Sequence, residues 1–144
     1  MKIKTLTLEN FMIFDSIDVE WSPNINVILG ENSTGKTTLL KAMYSLVKPY
    51  GRSDFLKCTQ MQQEDMIVGK MVGVFRPDEK KIGRMSSRRR GAPKNTKMKV
   101  CTAEGDIIEV SFGSRRENHA DVSVRHSEKS KLCDPVYLPP KEMI

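Results

Sequence analysis

No apolar run in this chain approaches the length of a membrane span, which excludes a simple transmembrane helix. Cysteine is scarce. Cys58, Cys101 and Cys133 are odd in number and widely spaced, which argues against a disulfide framework and offers no zinc-site spacing. The start Met1-Lys2-Ile3-Lys4 leads into alternating Thr and Leu and then Glu9, without the apolar block and cleavage site of a secretory signal. These absences point to a soluble, cytoplasmic protein with reduced thiols and no membrane partner.

Acid is also missing, from one place in particular. The net charge is +6, yet residues 1–50 are neutral, with five Lys against five Asp and Glu. Residues 80–99 hold nine Lys and Arg and no acid. The surplus is therefore local. With Gly91 and Pro93 inside it, the stretch reads as a mobile loop between elements. Arg84, Arg88, Arg89, Arg90 and Lys94 are candidates for a nucleic-acid backbone contact, whose affinity would fall steeply with salt. No aromatic residue lies among them to stack bases, so a solvated basic loop stands equally open.

What is present is concentrated early. Gly30-Glu31-Asn32-Ser33-Thr34-Gly35-Lys36-Thr37 fits the phosphate-loop pattern GxxxxGK[ST] at every fixed position. Before it, Ile25, Val27, Ile28 and Leu29 form a short apolar run of the kind seen in a strand buried on both faces. After it, Leu39, Leu40, Met43, Leu46 and Val47 recur at helical spacing, and Pro49 with Gly51 is expected to stop the helix. The order is strand, glycine loop, helix.

The residue types suit a phosphate. A helix N-terminus carries unpaired N–H groups and partial positive charge, and loop amides extend that anion site. Gly30 and Gly35 allow close backbone approach, Lys36 brings a point charge to the β- and γ-phosphates, and the Thr37 hydroxyl can ligate Mg²⁺. Residues 30–38, from Gly30, Glu31, Asn32, Ser33 and Thr34 through Gly35, Lys36, Thr37 and Thr38, are thus the candidate binding site for ATP.

Elsewhere the patterning predicts antiparallel strands. Residues 2–9 alternate, and Ile17, Val19 and Trp21 alternate with Asp18 and Glu20. Met98, Val100 and Thr102 pair with Ile108, Val110 and Phe112 as a hairpin turning at residues 103–106, and residues 121–125 add a strand. Residues 64–75 suit a helix despite Gly69 and Gly73, each of which lowers helix stability by about 1 kcal/mol. Phe11 and Phe14 read as packing residues. His119, His126 and Cys133 read as ordinary surface or core side chains.

Leu6-Thr7-Leu8-Glu9-Asn10-Phe11, followed by Asn26-Val27-Ile28-Leu29 and the phosphate loop, resembles the N-terminal part of RecF/SMC/ABC-type ATPases. Within that group it is most similar to bacterial AAA ATP-binding proteins of the overcoming-lysogenization-defect kind. The segment 136–142 also looks like one that precedes the helical lobe in such proteins. Two places depart from the family: Ser33 stands where many members have a second glycine, and Met12 where many carry a basic residue.

The resemblance implies a mixed α/β fold with α+β character, a P-loop NTPase lobe of the ABC/SMC head type. It implies ATP and Mg²⁺ as ligands, DNA as a possible partner, and a nucleotide-dependent homodimer. No acidic Mg²⁺ motif at the end of an apolar strand follows residue 50, and the Ser-Gly-Gly-like signature loop is absent. The expectation is therefore one N-terminal lobe of a longer ATPase: a core over 1–48, a helical and basic insertion over 49–99, and a hairpin with following strands over 100–144. Such a lobe alone binds nucleotide weakly and hydrolyses it negligibly. The competing expectation is a nucleic-acid-binding module with a vestigial phosphate loop.

Overall fold

The computed structural model describes residues 1–87 and 95–138. Five strands form one antiparallel sheet in the order β2-β1-β3-β4-β5. They are β1 (Ile3–Phe11), β2 (Phe14–Glu20), β3 (Asn95–Thr102), β4 (Ile107–Gly113) and β5 (Asp121–Arg125). Period-2 alternation builds it, because successive side chains point to opposite faces. Leu6, Leu8, Met98, Val100, Ile108, Val110 and Val122 are all buried. Register places Leu8 opposite Met98 and Met98 opposite Val110, so the apolar residues of neighbouring strands meet.

Two helices cover that face, α1 (Lys36–Tyr50) and α2 (Gln60–Phe75). Leu39, Ala42, Leu46, Val47 and Tyr50 of α1 join Ile67, Val68 and Met71 of α2 in the same core as the strands. The expected α2 begins earlier than its apolar pattern, because Thr59 caps it. The Thr59 hydroxyl accepts from Gln62 N–H, while the Gln62 side chain accepts from Thr59 N–H, a reciprocal capping box. A Cβ added at Gly69 or Gly73 would meet nothing within 4 Å, so neither glycine is required by packing.

Three expectations are corrected. Residues 25–29 form no strand, and Ile25, Val27 and Leu29 are 86%, 76% and 88% exposed. An apolar run makes a buried strand only when neighbours supply hydrogen bonds and a covering layer, and no described residue pairs with this one. Helix α1 does not stop before Pro49 but passes through it to Tyr50. Proline in the last turn forfeits one backbone donor, while Gly51 N–H still closes on Val47 O at 2.9 Å. Residues 80–99 are not one loop. Ile82–Met85 is a 3₁₀ turn with Ile82 and Met85 buried, and β3 starts at Asn95.

Buried polar groups tie the far end of α1 to the sheet. Tyr50 Oη lies 2.6 Å from His126 Nδ1, which in turn lies 3.2 Å from Asp106 Oδ1. Asp106 has no exposed surface; it accepts from the Thr102 hydroxyl at 2.9 Å and from Ser127 N–H at 2.8 Å. Burial opposes its ionisation, but these hydrogen bonds outweigh burial and hold the carboxyl below its ordinary range. Burial, with the neighbouring Asp106 carboxylate, pushes the Tyr50 phenol well above its ordinary value.

Candidate functional site

The loop before α1 has the backbone that its glycine spacing calls for. Gly35, the N-cap residue, sits at φ 97° and ψ 8°, in left-handed space that favours glycine. Leu39 N–H makes the first helical bond to Gly35 O at 2.8 Å. No side chain caps this end and no acid lies in the first turn, so the positive end of the helix is left for an outside anion. Ser33 also adopts positive φ, 65°, although it is not glycine. Holding an L-residue there costs about 1–2 kcal/mol.

Lys36 closes the loop on itself. Its ammonium donates to Gly30 O at 2.7 Å and also to Glu31 O. The Thr34 hydroxyl donates to the same Glu31 carbonyl at 2.8 Å. A Cβ at Gly30 would lie 3.0 Å from Thr34 Oγ1, so the first glycine keeps this ring of polar contacts tight. Asn32, Ser33, Gly35, Lys36, Thr37 and Thr38 line an open cleft of about 360 Å³. Gly30, Glu31 and Thr34 stand behind it as the acceptors and spacer that position Lys36. The Thr37 side chain is exposed in the cleft, where a hydroxyl can reach a hydrated Mg²⁺. Among the described residues, the cleft lining contains no carboxylate.

One further residue lines the same cleft. Ile13, at the turn between β1 and β2, forms its apolar wall. Sequence reasoning assigned it no role. The available signal was a Met-Ile pair at the tip of a tight hairpin, where turn chemistry favours Asn, Asp or Gly. Phe11 is fully buried, edge-on to Phe75 at 5.3 Å between ring centroids, and Phe14 packs on the core. Both are packing residues, as their pattern suggested.

Of the basic candidates, Arg84 is described, whereas Arg88, Arg89, Arg90 and Lys94 lie outside the described residues. Arg84 does not stand alone. It lines a shallow depression with Lys81, Ser114, Arg115, Arg116 and Glu117. Lys81 pairs with Glu79 at 2.8 Å and Glu117 at 3.2 Å, and Arg84 approaches Glu79 at 3.6 Å. Among the described residues, Arg115 and Arg116 have exposed side chains without an ion pair. The backbone brings the two segments together, with Ile82 N–H donating to Glu117 O and Gly83 N–H to Arg116 O, each at 3.0 Å. A separation of more than thirty residues hid this from the sequence. The histidines have local partners: His119 Nδ1 lies 3.2 Å from Glu64 Oε1, and His126 belongs to the Asp106 cluster.

Known proteins share both the pattern and the architecture. The RecF DNA replication and repair proteins of Halalkalibacterium halodurans and Staphylococcus haemolyticus are 50% and 46% identical over 46 residues, or 32% of this chain. Each match spans 12% of the relative's length. A solved structure from work on ATP-driven dimerization and DNA-stimulated activation of SMC ATPases aligns with 88% of this chain and 71% of its own. Its TM-score is 0.55 at 11% identity. That likeness shows the fold: a P-loop NTPase lobe of mixed α/β type whose sheet is antiparallel here. A family model described as an AAA ATPase domain matches residues 1–132, and the chain therefore belongs to the AAA ATPase domain family.

Proposed function

We propose that this chain is the ATP-binding lobe of a RecF/SMC-like ATPase, with residues 30–38 as the phosphate cradle and Thr37 as the Mg²⁺ ligand. The observation that carries this is the cleft at the start of α1. There an uncapped helix N-terminus, a left-handed Gly35 and the Lys36 ammonium converge without any competing acid. Such a site binds a polyphosphate by charge-assisted hydrogen bonds. Bound Mg²⁺ would supply charge neutralisation across the phosphates; Lys36 and the loop amides orient them.

Binding is not turnover. Phosphoryl transfer to water needs a carboxylate for the metal and a group that orients the nucleophile, and no carboxylate stands among the described residues that line the cleft. The apolar run at residues 25–29, in which Ile28 packs on the core while Ile25, Val27 and Leu29 stand bare, has the composition of a strand and lacks a strand partner among the described residues. Both features support the view of one N-terminal lobe, organised as 1–48, 49–99 and 100–144, that reaches activity only with further protein. In that assembly a nucleotide-dependent homodimer acting on DNA is the reading that the SMC and RecF likeness supports, while action against foreign DNA rests on the sequence resemblance alone.

Titration of Mg²⁺-ATP into the wild type and Lys36→Ala tests it. Removing one charge-assisted contact should weaken binding about 10- to 100-fold while thermal unfolding stays unchanged. Equal affinity of the two proteins would refute the cradle, and robust hydrolysis by the 144-residue chain would refute the incomplete site.

A second reading has its own observation. Lys81, Arg84, Arg115 and Arg116 share one surface depression, and the last two are unpaired among the described residues. That surface fits a phosphodiester backbone, with Arg88, Arg89, Arg90 and Lys94 as its continuation in sequence. Binding of a DNA duplex should weaken with salt, and the slope should flatten in Arg115→Ala/Arg116→Ala. An unchanged slope removes these residues from the contact.

A further inference from the structure

The two edges of the sheet are finished differently. β5 is five residues long and is flanked by α2, whose Gln60 amide donates to Val122 O at 3.5 Å and whose Glu64 carboxylate accepts from Ala120 N–H at 3.0 Å. β2, the opposite edge, has β1 as its one strand neighbour among the described residues. It runs for seven residues without proline, lysine or a positive φ, and it holds one register on β1, from Glu20 opposite Thr5 to Phe14 opposite Phe11. Proline, lysine and bulges are the usual means of closing an edge to further pairing. β2 has none of them, so its outward amides and carbonyls stay open to another strand.

The side chains say what would fit there. Ile17 and Val19 face the core opposite Leu8 and Leu6, yet both stay half-buried, because no described strand continues their apolar row. On the outer face Ser16, Asp18 and Glu20 are exposed. Asp18 accepts from the Thr7 hydroxyl, and among the described residues neither Asp18 nor Glu20 forms an ion pair. From residue 5 to residue 35 the chain holds five acids and no Lys or Arg, so this edge is negative along its length. β3 already shows the complementary chemistry inside the molecule. Its Lys97, Met98 and Lys99 lie opposite Glu9, Leu8 and Thr7 of β1, with base beside acid on the outer face and apolar beside apolar on the inner one.

We propose that the open edge of β2 takes an extended basic segment of a partner polypeptide by strand addition. Lysine or arginine on the outer face of that segment would lie beside Asp18 and Glu20, and β-branched residues on its inner face would cover Ile17 and Val19. Main-chain hydrogen bonds supply the ladder. The alternation sets the register, since a slip of one residue would turn the bases onto the apolar row. A second copy of this chain does not fit through the same strand: two β2 edges would bring acid against acid, and like charges directly opposite are destabilising.

The test is fluorescence anisotropy of a labelled peptide of alternating lysine and valine, matched to β2 in length, against the wild type, Asp18→Asn/Glu20→Gln and Asp18→Lys/Glu20→Lys. Neutralising the two acids should weaken binding about 3- to 10-fold, the worth of two exposed charge pairs. Reversing them should exchange the preference, so that a glutamate–valine peptide binds in place of the lysine–valine one. Should the reversed variant fail to fold by circular dichroism, the Asn/Gln pair decides alone. Of two peptides N-methylated on every valine or on every lysine, at least one should lose about tenfold, because its methyls block the ladder. Amide shifts on binding should gather on β2. Equal affinity of the wild type and the Asn/Gln variant overturns the proposal, and so does full binding by both methylated peptides. A wild type that ignores the lysine–valine peptide, or that pairs with a second copy through β2 instead, overturns it as well.

Discussion

At the carboxyl end of α1, Tyr50 is fully buried, edge-on to Phe55 at 5.7 Å and within hydrogen-bond reach of His126. At the amino end of the same helix, the side chains just before the loop stand in solvent and the helix has no cap. The first end shows what a completed core looks like: apolar groups covered, and the Asp106 carboxylate satisfied from two segments, by Thr102 and by His126 and Ser127. The second end, which we propose as the phosphate site, shows the opposite. Orphan amides, positive φ at Ser33 and bare apolar surface are all kept where a ligand or further protein can satisfy them.

The sharpest way to break this contrast is to delete one leucine from each side. Leu8→Ala, in the centre of β1, should cost about 2–5 kcal/mol, because it opens a cavity in a closed core. Leu29→Ala should cost less than about 0.5 kcal/mol, since an exposed side chain has little burial to lose. Urea unfolding of both variants measures the difference, and similar losses would mean that residues 25–29 are packed in solution.

Asp106 gives a smaller, pH-dependent effect. Its native carboxyl titrates below the ordinary value, so its stabilisation is fully present above about pH 4, the unfolded value. It is lost as pH falls from there through the depressed native value. Asp106→Asn should therefore be destabilised at pH 7 by about 1–3 kcal/mol, with Ser127 N–H and the Thr102 hydroxyl left poorly matched. Under acid the gap to the wild type should close. A gap that stays constant between neutral pH and pH 3 would show that the carboxylate's charge is not what matters.

Ser33→Gly should have a small effect of the opposite sign. Relief of left-handed strain, partly offset by the greater freedom of glycine when unfolded, should stabilise the chain by up to about 1 kcal/mol. A loss of stability instead would mean that the Ser33 side chain supports the loop.

The contrast also explains what was legible in the sequence. The strands were, because alternation over β1, β2, β3, β4 and β5 is a local signal that each strand carries by itself, whereas the pairing of β1 with β3 that joins them in one sheet was not. The hairpin turn was too, since Gly105 at φ 99° sits where its turn residues placed it. The loop was legible as a pattern because its glycines and lysine occupy fixed chemical roles. Residues 25–29 misled for the opposite reason: an apolar run records what a segment would bury against, not whether that partner is present. Pro49 misled because its cost depends on how many turns remain, and here almost none do. Ile13, Arg115 and Arg116 went unnoticed because their significance lies in what the fold sets beside them.

Asn10 holds on to Ser87 on one side and to Asn95 and Thr96 on the other. The chain thus sets out from this asparagine and comes home to it. Whatever is spliced between the two moorings, the price in closure entropy rises only slowly with length, and the strand register on either bank is undisturbed. The cleft wall at Ile13, three residues from Asn10, is therefore anchored by Met85, Ser87, Asn95 and Thr96, whatever chain joins the two moorings.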